Sequence, residues 1–334
     1  MQTSGKASYI VCLPKNWIED NRIKKGDIIS VKYINSDLII SKVHKGKKEK
    51  KQISKIVVDN FSNEVLILLV QGAYLVGLDN LEILTKSKEM DSSFKKLVVD
   101  TLQDLIGFEV TSDSKNSIIV ENISEPSDFN LKKVADQLFR LSYEMNVILL
   151  ESLIVRDPKV VENIETKKRM VNRLNLLSQR LINEGVSNEV ITRKIGLEGI
   201  SQAIHWGNII RILNRNNVTM LKMAQQVEII NSFKIPDELL DVYKQLPIDR
   251  EYPRLKEGEP SYKRSLEFAL DFYQEVERYI RIIEDIRKMV AEKSLDPKLR
   301  LHLEKFNSML QNLYENTLEY AKEIIYIEHF ELSK

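Results

Sequence analysis

The sequence predicts an α+β multidomain protein, with a small strand-rich module first, an α+β connector second, and a mostly α remainder of tandem three-helix bundles. Three observations carry this reading. The first forty-five residues hold short β-branched runs punctuated by turn residues, and residues 53 to 123 mix strand-like and helix-like periods. After Pro126, apolar residues recur at three- and four-residue steps over long spans, as one face of a helix requires. The expected boundaries are 1–50, 51–125, 126–233 and 234–334.

In the first module, Ser8 to Pro14 (SYIVCLP) reads as a strand stopped at a proline, because the residue before proline is held extended. Pro14 then opens a short helix from Lys15 to Asn21, where its missing N–H costs nothing. Ile23 to Asp27 is a turn containing glycine, and Asp27 to Ile34 and Leu38 to Val43 alternate as two strands around Asn35-Ser36-Asp37. A module of this size cannot bury enough apolar surface by itself, so a homodimer that completes its core is expected. Lys42, Lys45, Lys47, Lys48, Lys50 and Lys51 crowd the next stretch, which reads as a solvated linker or hairpin tip, or as extra phosphate contacts.

The connector is expected to hold a strand at ISKIVVDN, a buried helix at Val65 to Val76, a strand at Leu81 to Lys86, and an amphipathic helix from Phe94 to Leu105 opened by Asp91-Ser92-Ser93. Two strands around a polar turn, Ser112 to Asn116, close it.

Leu131, Val134, Leu138, Leu141, Met145 and Ile148 mark the first long helix. The second opens at Asp157-Pro158 and is expected to end at Gly185; the third starts near Ser187 and runs toward Phe233 with a break near Asn214 to Asn217. A proline-punctuated connection, Lys234 to Ser261, carries one short helix in DELLDVYKQL. Two long helices follow, one through Leu266 to Val290 and one through Leu299 to Ile324, making a second bundle that reads as an internal duplication.

Composition excludes several classes. The 334 residues are 43% apolar and 30% charged, which is globular rather than disordered. Net charge is +1, but residues 1–55 hold 13 Lys/Arg against 5 Asp/Glu and the rest 37 against 44, a basic head on a mildly acidic body. The longest apolar segment, Val65 to Leu78, is too short to span a bilayer and contains Gln71, Gly72 and Gly77, so no membrane insertion is expected. The start is polar, without the basic-then-apolar pattern of a signal peptide. Cys12, the one cysteine, reads as a buried strand residue; no intrachain disulfide can form, which fits a reducing cytoplasm. His44, His205, His302 and His329 lack a partner at zinc-ligand spacing, no phosphate-cradling glycine loop is present, and no nucleophile with a base stands out, so no enzyme is expected.

The run SGKASYIVCLPKNWIEDNRIKKGDIISVKY, with Leu13-Pro14-Lys15 ahead of Lys25-Gly26-Asp27, resembles the AbrB/MazE/SpoVT swapped-hairpin DNA-binding domain. That resemblance implies two chains interleaving their hairpins and presenting basic residues to double-stranded DNA. By position, Lys6, Lys15, Asn16, Arg22, Lys24 and Lys25 are the residues it points to. LIGFEVTSDSKNSIIVENI followed by FNLKKVADQLFRLSYEMNVILLESL resembles the archaeal PhoU-type phosphate-uptake regulators, in which such a head precedes two three-helix repeats.

PhoU-like repeats hold metal through acids four residues apart, a spacing that sets two carboxylates on one helix face. In the first repeat the matching positions are Lys168 and Asn172, and Glu198 with Gln202, so that site is expected to be lost. In the second, YENTLEYAKEI keeps Glu315 and Glu319, with Glu323 one turn on, and the resemblance implies a divalent metal or iron there; Glu275 or Glu277 are the acids a second helix would add. Glutamates so spaced on a charged helix also read as a solvated face.

The expected function is a DNA-binding transcription regulator tied to phosphate uptake or a related signal. The alternative is an adaptor that does not bind DNA and docks a phosphate transporter ATPase or another protein. It is favoured by the absence here of the family's extra basic residues before the first strand and by the substituted metal positions.

Overall fold

The computed structural model describes residues 2–4, 8–34, 37–42, 53–246 and 266–332, whose contacts fall into two units, Met1–Gln52 and Ile53–Lys334. In the first unit, β1 (Gln2–Ser4) pairs antiparallel with β2 (Ser8–Ile10), and β3 (Ile29–Ile34) pairs antiparallel with β4 (Asp37–Lys42), Val31 opposite Ile40. Between them lies α1 (Lys15–Asp20), started by Pro14 and followed by a turn closed on Asp27, whose carboxylate accepts the Lys24 N–H at 2.9 Å. Gly26 takes φ +93 there, a value that favours glycine.

Two readings of this module need correction. The first strand ends at Ile10, not Pro14, so Cys12 lies beyond the strand and is exposed. A strand at Gln2–Ser4, invisible in its polar residues, exists because it pairs with β2. The lysine run Lys45 to Lys51 and the prolines Pro247, Pro253 and Pro260 lie outside the described residues.

The second unit opens with a four-stranded mixed sheet of order β5-β6-β8-β7. β5 (Ser54–Val57) runs parallel to β6 (Asn80–Leu84); the crossover is α2 (Asn63–Leu75), as parallel neighbours require. β7 (Phe108–Asp113) and β8 (Ser117–Asn122) form an antiparallel hairpin with an irregularity between Val110 and Ser112, and β8 also pairs with β6. Alternate residues Leu81, Ile83, Ile118 and Val120 face a core shared with α2 and α3 (Ser92–Leu102). Ser62 and Asp91 cap the two helices as N-cap side chains do.

The helix expected to be buried is α2, yet only Leu66, Val70, Ala73 and Tyr74 are inside; Leu68 and Val76 are 65% and 70% exposed. It is apolar on more sides than the sheet can cover, so the run gave no sign of which side faces outward.

Gly107 turns the chain into β7 at φ +92, and a Cβ there would stand 2.1 Å from Ser124 Oγ and 2.7 Å from Asn122 Oδ1. Gly107→Ala is therefore expected to cost about 1–3 kcal/mol, read as a lower urea midpoint at unchanged slope.

Helices α4 (Leu131–Val155), α5 (Val160–Ser187), α6 (Glu189–Lys194), α7 (Ile200–Ile230), α8 (Asp237–Tyr243), α9 (Leu266–Glu292) and α10 (Pro297–Leu332) share one continuous apolar core. α7 packs against α4 and α5 on one side and α10 on the other, and α10 packs on α9.

Gly185 does not end α5. The helix runs to Ser187, and the bare glycine lets α6 approach, with Thr192 Oγ1 donating to the Gly185 carbonyl at 2.5 Å. Nor does α7 break at Asn214 to Asn217; Asn216 stays helical because its side chain finds partners on α10, accepting from Asn316 at 3.0 Å.

Arg180 joins the sheet to the helices. Its side chain, from α5, is buried; it donates to the Tyr74 and Leu78 carbonyls at 3.0 and 3.2 Å, pairs with Glu184 at 2.8 Å, and lies over the Tyr74 and Phe108 rings. An arginine supplied by a distant helix thus satisfies a carbonyl at the C-terminal end of α2, where positive charge is favoured.

Candidate nucleic-acid interface

The interface starts from what the first unit leaves exposed. Lys15 and Asn16 occupy the first turn of α1, and Arg22, Lys24 and Lys25 follow within the turn after it; all five are exposed. Arg22 adopts φ +51, an uncommon backbone state for a residue with a Cβ, and this reverses the chain between α1 and the turn. Asp27 fixes that turn by a second bond, its N–H to the Lys24 carbonyl at 3.0 Å, which leaves the Lys24 and Lys25 side chains projecting from a defined loop. Lys15 Nζ lies 3.7 Å from Glu19 Oε1, but both side chains are well exposed and such a pair contributes little. Lys6, the remaining residue of the set, lies outside the described residues.

The apolar side of the same unit is exposed too. Val11, Ile28 and Val31 are 53%, 53% and 51% accessible, α1 buries none of its residues, and no side chain from 11 to 31 is buried. Exposed apolar residues on this scale beside exposed cations mark a candidate interaction surface.

In the helical part, the acids expected at the second repeat go to separate partners. Glu315 accepts from Gln311 at 2.9 Å, Glu319 pairs with Lys322 at 2.7 Å, and Glu323 reaches across to α7, bonding His205 Nδ1 at 2.7 Å and Asn208 Nδ2 at 2.9 Å. Glu319 raises the Lys322 pKa through that hydrogen bond. Glu275 accepts from Tyr279 on its own helix at 2.7 Å. Among the described residues, no three or more His, Cys, Asp or Glu side chains are grouped so as to hold a metal ion, so Glu315 and Glu319 are not gathered into the ligand set the resemblance implies.

At the first repeat, Lys168 and Asn172 are half-buried on α5. Gln202 is buried and accepts the Glu198 N–H at 3.0 Å, so this amide closes the start of α7. The His205–Glu323–Asn208 cluster was not foreseeable, since nothing along the chain signals a contact 118 residues apart.

Compared with protein-family models, curated proteins and solved structures, the chain matches none.

Proposed function

We propose that this chain is a DNA-binding transcription regulator in which the basic N-terminal unit, paired with the same unit of a second copy, contacts the duplex backbone and the helical unit receives a signal. The observation that carries the reading is that the first unit exposes both halves of what such a device needs. Apolar Val11, Ile28 and Val31 are exposed where a second chain would cover them, and the cations Lys15, Arg22, Lys24 and Lys25 are exposed where phosphates would meet them. The resemblance of residues 4–33 to swapped-hairpin DNA-binding domains supports the same reading, and that of the helical part to phosphate-uptake regulators makes phosphate supply the first input to examine.

The experiment is fluorescence anisotropy of the whole chain on its own promoter fragment and on a scrambled duplex of equal length, at low and at physiological salt. Specific binding is expected to favour the promoter by a thousandfold or more at physiological salt, on the order seen for regulators. Equal binding to both duplexes that vanishes with salt overturns the regulator. Protein docking would then be the reading to pursue, with the apolar outer side of α2 as one exposed surface.

A further inference from the structure

The core between α4, α7, α9 and α10 contains a cavity of about 150 Å³. Helical spacing builds it, because residues four and seven apart turn to the same side: Phe139 and Tyr143 of α4, Leu213 and Met220 of α7, and Phe272 and Val276 of α9 supply an apolar and aromatic wall. A space of that volume with such walls accommodates one benzene-sized ring.

One spot in the wall is polar and incompletely bonded. Asn146 of α4 is 5% exposed; its Nδ2 donates to the Tyr314 hydroxyl at 3.0 Å, and its Oδ1 has no partner. Tyr314 of α10 is 3% exposed and accepts through that bond, while its own hydrogen meets no acceptor among the described residues. Burial raises the Tyr314 pKa far above its ordinary value, so this side chain keeps its hydrogen. A bare acceptor and a bare donor thus stand side by side at the edge of a ring-sized space. Buried polar groups left unmet in this way are costly.

The neighbouring polar groups are engaged elsewhere. Ser142 and Thr317 donate to the Leu138 and Leu313 carbonyls at 2.9 and 2.8 Å, and Asn216 Oδ1 accepts from Asn316 at 3.0 Å. Glu275 accepts from the Tyr279 hydroxyl at 2.7 Å and stands 3.9 Å from Arg278; it is held on its own helix, and no ligand group is placed on it.

The geometry points to a binding site for a small neutral phenol, whose hydroxyl donates to Asn146 Oδ1 and accepts from the Tyr314 hydroxyl while its ring lies among the aromatic and apolar side chains. Only a group that both donates and accepts meets the pair. An ammonium has no lone pair for the Tyr314 hydrogen. A carboxylate has no hydrogen for Asn146 Oδ1, and no Lys, Arg or His among the described residues lines the cavity to offset its charge. Water would satisfy the pair but leave the ring-sized remainder empty. This inference does not rest on DNA binding and is tested without DNA.

Isothermal titration of the whole chain with phenol, toluene and benzoate provides the test. Phenol is expected to bind, and benzoate to bind more weakly or not at all. Asn146→Leu, which keeps the volume, should weaken phenol by about fivefold or more and leave toluene unchanged or tighter, the effect of losing one hydrogen bond to a buried group. Tyr314→Phe, which removes a single oxygen, should shift the phenol-to-toluene ratio in the same direction. Circular dichroism and toluene binding show that each variant is folded, and Tyr314→Phe decides the matter if Asn146→Leu does not fold. No binding of phenol at about 10 mM, on the order of the weakest affinity a one-ring ligand would have, overturns the proposal. So does benzoate binding as tightly as phenol, or a phenol-to-toluene ratio that a folded variant leaves unchanged.

Discussion

Arg180→Ala is expected to destabilise the Ile53–Lys334 unit by about 3–5 kcal/mol, the range for removing one partner of a buried ion pair. The reason is what stays behind. The Leu78 carbonyl loses its side-chain donor, the Tyr74 carbonyl keeps the Gly77 N–H but loses the guanidinium, Glu184 loses its partner at 2.8 Å, and the Tyr74 and Phe108 rings lose the guanidinium packed on them. Because that one side chain ties α5 to the end of α2 and to the loop into β6, these are also expected to separate more readily, giving protease cleavage between residues 76 and 80 before the helices unfold.

The loss should depend on pH in a defined direction. Burial raises the Glu184 pKa, against the pull of Arg180, so the charged carboxylate is disfavoured in the folded chain. A raised carboxylate contributes stability that is present below its unfolded pKa and lost as pH rises through the folded one. Without Arg180 the folded pKa moves further up, so the deficit of the variant should be largest near pH 8 and shrink toward pH 5. Arg180→Lys keeps a charge but not the fork that reaches two carbonyls and a carboxylate together, and is expected to fall between. Urea unfolding of the three proteins at both pH values decides the matter; a deficit of Arg180→Ala under about 1 kcal/mol, or one that grows toward pH 5, contradicts it.

What the sequence made legible, and what it hid, follows from the range of each cause. The long helices were readable because 3.6-residue spacing is written locally, and α4, α5, α9 and α10 lie where Leu138, Leu177, Ile283 and Leu310 place them. The errors fall where a distant partner overrides a local rule. Asn214 to Asn217 look like a helix break until Asn316 of α10 reaches Asn216, and Gly185 looks like a stop until Thr192 packs on it. The same limit holds for sites. Lys15, Arg22, Lys24 and Lys25 could be picked out because turn and helix positions expose them, whereas Arg180 on Tyr74, 106 residues away, and the four-helix cavity have no local signature.

The other large effect belongs to the head. Replacing Lys15, Arg22 and Lys25 together by alanine removes three cations from each protomer and six from a dimer. If each neutralises one phosphate, the slope of log affinity against log salt should fall by about 5, and affinity at low salt by roughly a hundredfold or more. All three side chains are exposed, so fold stability should change little. Charge alone could produce part of such a result, because the whole of residues 1–55 is basic. The matched control is Lys88, Lys222 and Lys298 to alanine, three exposed lysines of the second unit that change the net charge of the chain by the same amount. If the cations of α1 and its turn contact the duplex, the head variant loses its salt slope while the control keeps it. Equal losses in both would assign the affinity to diffuse charge and remove α1 and its turn from the interface.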